Sequence, residues 1–226
     1  MMIITILTIA PEMFEGIRRN HVIDRALQSG ELELEIKDIR SYTDGCFRKV
    51  DDTPYGGGAG LILRCEPVIS ALRDARGEQT TPGETITAAF APFGGRYTQE
   101  TALRYSRCSR LILICGHFEG MDARIYPYAD EVISVGDYIL SCGEMAAFTV
   151  IDSVSRLLPG TVKAESLREE SFEQKLLEYP QYTRPAEFEG RRVPEVLLSG
   201  NHEAIREWKR EQALLMTQKY RPDLLD

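Results

Sequence analysis

Apolar and polar positions alternate along the first two thirds of the chain in a way that predicts strands. The run Met2–Thr8 is almost wholly apolar and predicts a buried strand, whereas Leu32–Lys37 alternates and predicts a half-buried one. Leu111–Cys115 is a short continuous apolar run, which is typical of a strand buried on both faces of a parallel sheet. Thr85–Phe90 and Glu131–Val135 are two further predicted strands.

Helical patterns lie between these strands. The predicted helices cover residues 11–27 with a break, Glu66–Arg76, Thr98–Arg107 and Met145–Leu158. Ser141 and Glu144 have the S-x-x-E spacing of a capping box, so the last helix should begin there. Strands that alternate with helices predict an α/β fold with a parallel sheet.

The helix predicted at Met145–Leu158 is apolar on nearly all sides. One face can pack on its own sheet, and the second face needs another partner. We favour a homodimer interface, and burial inside a single domain is the alternative.

Composition changes after Pro159-Gly160. We predict an α/β domain at residues 1–161, a polar linker at 162–173 and a small, mostly helical domain at 174–226, with its clearest helix at Asn201–Met216. Residues 184–221 carry a small excess of basic side chains, although the whole chain has a net charge of −8. This pattern is typical of a nucleic-acid contact surface, and a solvated amphipathic helix fits equally well.

Composition also indicates the cellular compartment of the chain. It has no apolar stretch of about twenty residues, so no transmembrane helix is predicted. The apolar N-terminus lacks the basic segment of a signal peptide. Five cysteines without disulfide-type or zinc-type spacing indicate a reducing cytoplasm.

Three Gly- or Pro-bearing loops follow three of the predicted strands. They are residues 90–95, 115–120 and 136–143. Because ligands of open α/β sheets bind outside the carboxyl ends of strands, these loops together predict a cofactor pocket.

Other patterns give weaker evidence of a chemical role. The glycine-rich stretch Tyr55–Gly60 can form a nest of N–H groups for an anion or a nucleobase, or be a mobile loop. Cys115 and His117 could form a thiol nucleophile and base, but the apolar run before Cys115 favours a buried, inert thiol. The histidines are scattered along the chain, so no metal site is predicted.

Two charged positions near the domain boundary each have two interpretations. Arg156, at the end of the apolar helix, is favoured there by the helix dipole, or it directs a guanidinium at an oxyanion or phosphate. Glu169-Glu170 is either a solvated acidic pair or a source of a functional carboxylate.

Six motifs, in order, resemble those of the bacterial tRNA (guanine-N1)-methyltransferase family (TrmD), of the knotted SPOUT class. They are Pro54–Gly60, Cys115–Gly120, Ser134–Glu144, Asp152–Arg156, Tyr182–Pro185 and Leu197–His202. The resemblance extends from Pro11 to Leu225, nearly the whole chain.

The resemblance implies a homodimer with the active site at the subunit interface. It implies a knotted α/β domain that holds S-adenosylmethionine, a small helical C-terminal domain that binds the tRNA anticodon stem-loop, and methylation of N1 of the guanosine at tRNA position 37. It also implies a dependence on Mg²⁺. The implied cofactor contacts are Phe90, Ala91, Pro92, Gly116, Phe118, Glu119, Gly120, Val135, Gly136, Tyr138, Leu140 and Gly143.

The same resemblance assigns the reacting groups. Glu170 takes the position of the general base and Arg156 that of the cation that stabilises charge on guanine O6. The implied substrate contacts are Asp51, Tyr55, Gly56, Gly57 and Gly58. The family usually has Asp at the base position and Gly where this chain has Cys142. Other hypotheses are a knotted methyltransferase for ribose or another RNA, and a non-catalytic nucleotide- or RNA-binding module.

Overall fold

A computed structural model describes residues 1–43, 48–77, 84–163, 166–167, 170–172 and 175–225. These residues form two compact units, Met1–Val162 and Lys163–Asp226. No helix in these ranges combines the length and the apolar character needed to cross a membrane.

Strands of the first unit build a parallel sheet and a small hairpin. They are β1 (Met2–Thr8), β2 (Leu32–Asp38), β3 (Asp51–Asp52), β4 (Ile62–Leu63), β5 (Thr85–Arg96), β6 (Arg110–Ile114) and β7 (Glu131–Ser134). The sheet is five-stranded, all parallel, in the order β2-β1-β6-β5-β7, and β3 pairs antiparallel with β4. The predicted α/β class and parallel sheet are therefore confirmed.

The sheet has an apolar layer on each face, and the alternation in β6 shows why. Leu111 and Leu113 belong to one buried cluster, whereas Ile112 and Ile114 belong to the other. All four side chains are fully buried, as a strand covered on both faces requires.

Four helices of the first unit cover the sheet. They are α1 (His21–Gln28), α2 (Cys65–Arg76), α3 (Gln99–Tyr105) and α4 (Gly143–Ser155). Buried residues of α1, α3 and α4 belong to the cluster of Leu111, and those of α2 belong to the cluster of Ile112. Short 3₁₀ helices replace part of the predicted N-terminal helix, at Pro11–Phe14 and Ile17–Arg19.

The strand predicted at Thr85–Phe90 is longer in the structure. Phe90 and Gly95 both pair with Ile133, so the residues between them bulge out and the strand resumes. Gly94 makes this possible, because a Cβ there would lie 2.6 Å from the backbone of Ile133. The loop predicted at 90–95 is thus a bulge inside β5.

The second unit contains a hairpin and two helical segments. They are β8 (Glu187–Phe188), β9 (Arg191–Arg192), α5 (Glu195–Leu198) and α6 (His202–Tyr220). Asn201 caps α6 by accepting hydrogen bonds from Glu203 and Ala204.

Two features of this unit differ from the prediction. The hairpin was not predicted, although Glu189 and Gly190 both have the positive φ of a two-residue hairpin turn. The helix runs four residues beyond Met216, because Thr217 is fully buried and its hydroxyl binds Leu177 and Ala213.

Candidate active site

A cavity of about 380 Å³ lies at the carboxyl ends of β5, β6 and β7. It is lined by the β5 bulge, the loop after β6 and the loop after β7, so the three predicted loops do meet at one place. All twelve residues predicted to bind the cofactor line this cavity: Phe90, Ala91, Pro92, Gly116, Phe118, Glu119, Gly120, Val135, Gly136, Tyr138, Leu140 and Gly143.

Glycine holds two of these loops in direct contact. The Gly143 N–H donates a hydrogen bond to the Gly116 carbonyl oxygen at 2.7 Å. A Cβ on Gly143 would lie 2.6 Å from the Gly116 nitrogen and 2.9 Å from the Cys115 Cα. Because these obstacles are backbone atoms, only glycine fits, and this close approach closes one side of the cavity.

Apolar side chains form much of the cavity wall and leave backbone groups available. Tyr138, Phe118 and Leu140 are 58%, 46% and 38% exposed, although they belong to a pocket. The volume and this mixture of apolar surface with a few polar groups are typical of small-ligand sites.

The predicted capping box at Ser141 and Glu144 is wrong. The N-cap residue of α4 is Cys142, and no side chain caps the helix. Glu144 is fully buried instead, and its Oε1 accepts a hydrogen bond of 2.5 Å from the Thr8 hydroxyl. The S-x-x-E pattern is local, whereas Thr8 lies 136 residues away in the chain.

Beside the cavity lies a cluster of polar side chains, which the sequence pattern did not reveal. Glu144 Oε2 is 3.5 Å from His117 Nδ1, and within the part of the chain that the structure describes neither of these buried atoms has a hydrogen-bond partner. Together with Cys142 Sγ, they lie within 4.8 Å of one another. His117 and Cys142 also line the cavity.

Cys115 is unsuited to nucleophilic chemistry. Its side chain is fully buried in the core cluster of Leu111, and burial raises the pKa of its thiol well above the usual value. The nearby Glu144 carboxylate acts in the same direction. The structure therefore supports the inert-thiol interpretation.

The glycine-rich stretch Tyr55–Gly60, predicted to contact substrate, lies between β3 and β4. The residues that follow it are hydrogen-bonded to the cavity loop after β6. Tyr55 is fully exposed, and Gly56 to Gly58 all have positive φ. The Glu119 N–H donates to Leu61, and Leu63 donates to Gly120, so the end of the glycine loop runs along the loop after β6. Asp51, in β3, is half-buried.

The two residues predicted to be catalytic lie in different units. Arg156 is the C-cap of α4, half-buried, and its N–H donates to the Asp152 carbonyl. Glu170 lies in the second unit, is half-buried, and its N–H donates to Leu167. Glu169 lies outside the described residues.

Basic and aromatic side chains are interleaved in the second unit. The Lys209 ammonium lies 4.5 Å from the centre of the Tyr179 ring, and the rings of Trp208 and Tyr182 are 6.4 Å apart. Such interleaving suits contact with RNA bases and phosphates.

Known proteins resemble the chain over its whole length. Residues 2–226 match the family model described as "tRNA (Guanine-1)-methyltransferase TrmD". A protein of Clostridium perfringens (strain ATCC 13124) is 48% identical over 224 residues, which cover 99% of this chain and 93% of that protein. One of Clostridium botulinum (strain Eklund 17B) is 50% identical over 98% of this chain and 91% of its own length.

A third relative gives a similar match. A protein of Chloroflexus aurantiacus is 47% identical over 97% of this chain and 87% of its own length. All three proteins are named tRNA (guanine-N(1)-)-methyltransferase. The chain therefore belongs to the tRNA (guanine-1)-methyltransferase TrmD family, a family of tRNA-methylating enzymes with the knotted SPOUT fold.

Proposed function

We propose that this tRNA methyltransferase transfers a methyl group from S-adenosylmethionine to N1 of the guanosine at position 37, next to the anticodon. The observation that carries the proposal is the cavity at the carboxyl ends of β5, β6 and β7, which gathers all twelve residues that the family resemblance implies for the cofactor. Loops at this edge of a parallel sheet are a common place for a nucleoside ligand.

The cavity suits S-adenosylmethionine. Its apolar wall can cover an adenine ring, and the backbone of the glycine-bearing loops offers N–H and carbonyl groups at close range. Bound there, S-adenosylmethionine supplies an electrophilic methyl group. The residues of the cavity would orient the cofactor.

The target nitrogen needs help from two charged side chains. Guanine N1 carries a proton at neutral pH and is a poor nucleophile. We assign Glu170 as the carboxylate that accepts this proton, and Arg156 as the guanidinium that stabilises negative charge on O6. Asp51 and the loop Tyr55–Gly58 then lie around the guanine, because their loop is hydrogen-bonded to a cavity loop.

We also propose that the enzyme acts as a homodimer with its active site at the subunit interface. Met145 on α4 is 45% exposed, and the cavity-wall residue Ile139 is 83% exposed. These apolar side chains give a second copy a surface to cover. The tRNA anticodon stem-loop is assigned to the unit of residues 163–226, whose helix α6 carries Arg206, Lys209 and Arg210 on two adjacent turns.

Magnesium dependence gains no support from the side chains at the site. Mg²⁺ prefers an octahedral shell of oxygen atoms, whereas the one candidate cluster among the described residues offers nitrogen, sulfur and a carboxylate. We therefore assign no step to Mg²⁺. A cytoplasmic location is proposed because Cys65, Cys108, Cys115 and Cys142 are free thiols.

Methyl transfer from labelled S-adenosylmethionine to unmodified tRNA transcripts tests the function. Transcripts with G at position 37 should be labelled and those with A should not, and nuclease digestion should give 1-methylguanosine. Labelled ribose would indicate a 2′-O-methyltransferase. No labelling, with cofactor binding intact, would indicate a binding module and contradict the proposal.

The base assignment needs its own variants. Glu170→Gln should lower the rate of methyl transfer by about 100-fold or more while cofactor affinity stays unchanged. Glu211→Gln, an exposed acid on α6, is the matched control. If Glu169→Gln loses the activity and Glu170→Gln keeps it, the base is the neighbouring residue and the assignment is wrong.

A further inference from the structure

The cluster beside the cavity contains a buried carboxylate that is only half satisfied. Thr8 accepts the Ala10 N–H at 2.8 Å, so its own hydroxyl proton is free to go to Glu144 Oε1. This bond fixes the carboxylate orientation and turns Oε2 towards His117 and Cys142. Oε2 is buried, in a fully buried residue, and has no hydrogen-bond partner among the described residues. Leaving such an atom unpaired is costly, and a cation bound to it would remove this cost.

The distances match a metal site better than a hydrogen bond. His117 Nδ1 and Glu144 Oε2 are 3.5 Å apart, beyond the usual 2.7–3.2 Å of an N–H···O bond. Two ligand atoms about 2.1 Å from one tetrahedral zinc ion lie about 3.4 Å apart. The sulfur atom of Cys142 lies within 4.8 Å of both atoms, and it has to approach to about 3.6 Å, by rotation of its side chain, to share the same ion.

We propose that His117 Nδ1, Cys142 Sγ and Glu144 Oε2 bind one zinc-class divalent cation, with the fourth coordination position open to the cavity. Imidazole, thiolate and carboxylate are ligands that Zn²⁺ accepts together, whereas Mg²⁺ and Ca²⁺ prefer oxygen alone. On binding, the Cys142 thiol loses its proton to solvent and its sulfur bonds to the metal. His117 and Cys142 both line the cavity, so the open position faces a space that a water molecule or ligand can enter.

The surroundings hold the ligands as a metal site requires. Thr8 orients the Glu144 carboxylate through its hydrogen bond without being a metal ligand itself. The Phe118 ring lies edge-on to the imidazole of His117, with the ring centres 4.9 Å apart, and restricts its rotation. Cys142 is the N-cap residue of α4 and Glu144 lies two residues further on, so both ligands come from the start of one helix.

The experiment titrates Co²⁺ into the purified full-length chain after chelator treatment. We expect a thiolate-to-cobalt charge-transfer band and the strong visible bands of four-coordinate cobalt, saturating at one ion per chain. Zn²⁺ should displace the cobalt, and Mg²⁺ should not. Because the readout is metal binding without tRNA, its result is independent of the proposed methyl transfer.

Variants locate the site. Cys142→Ala should abolish the charge-transfer band. His117→Gln, at a partly exposed side chain, should weaken cobalt affinity by more than about 100-fold, because losing even a residue that only hydrogen-bonds a metal ligand costs about 10–100-fold in affinity. Cys65→Ala and Cys108→Ala are controls that should keep the band, because neither cysteine belongs to the cluster. No band in the unmodified chain would show that His117 and Glu144 form only an ion pair. That result, or a band that survives Cys142→Ala, overturns the proposal.

Discussion

Replacing Gly143 by alanine tests how the cavity is built. The added Cβ would lie 2.6 Å from the Gly116 nitrogen, 2.9 Å from the Cys115 Cα and 3.0 Å from the Gly116 oxygen. Since all three obstacles are backbone atoms, relief requires the two loops to separate. Separation also breaks the 2.7 Å hydrogen bond between Gly143 and Gly116.

The expected cost follows from these two effects. Overpacking of this kind costs about 1–3 kcal/mol, and a lost backbone hydrogen bond adds about 0.5–1.5 kcal/mol. Alanine regains up to about 1 kcal/mol through its better helix propensity, because Gly143 is the first residue of α4. The net loss is about 0.5–4.5 kcal/mol, which lowers the thermal midpoint by about 1–18 °C in a chain of this size.

Differential scanning calorimetry and titration with S-adenosylmethionine measure both consequences. We expect the cofactor affinity of Gly143→Ala to fall together with its stability, because the displaced loops line the cavity. Gly16→Ala is the matched control, since that position has nothing within 4 Å and an ordinary negative φ. Unchanged melting and unchanged affinity in Gly143→Ala would refute the argument from close approach.

Three further perturbations test other parts of the structure. Thr8→Val should lower the free energy of unfolding in urea by about 1–3 kcal/mol, because it leaves Glu144 Oε1 buried without its donor, whereas Thr183→Val, at an exposed position of the second unit, should have little effect. Burial raises the pKa of Tyr97 from 10 to about 12, so the unfolded chain loses this proton at a lower pH than the folded chain does. The free energy of unfolding should therefore fall between pH 10 and 12, by at most about 3 kcal/mol. Tyr97→Phe should remove this loss from denaturation curves measured across the same pH range. Met145→Asp should shift sedimentation towards the monomer, and a dimer that persists would contradict the α4 interface.

Local patterns in the sequence predicted the sheet and the cavity loops well, for a physical reason. An apolar run such as Leu111–Cys115 has to be buried on both faces, and it is short enough to form only a strand. The glycines that follow it have to form a turn. Since parallel strands end at one edge of the sheet, three such loops must meet there, and they do.

The same local patterns do not predict contacts between distant parts of the chain. Ser141 and Glu144 match a helix cap in spacing, but the buried Thr8 hydroxyl outcompetes the cap for the carboxylate. The return of β5 to the sheet after its bulge depends on Gly94 lying against Ile133, a neighbour on another strand. Arg156 and Glu170 carry no local signal of their role, and the family resemblance alone assigned it.

The start of α4 explains why Glu144 is available for the buried cluster. The first N–H groups of a helix need partners, and here the Gly143 N–H binds the Gly116 carbonyl on the neighbouring loop. This contact between loops satisfies the first of these N–H groups, and Glu144, which takes no part in a cap, turns inwards to Thr8 and His117. The helix that ends at Arg156 is thereby anchored at its start on the cofactor loop. A change in that loop should therefore move both the cavity and the cation assigned to guanine O6.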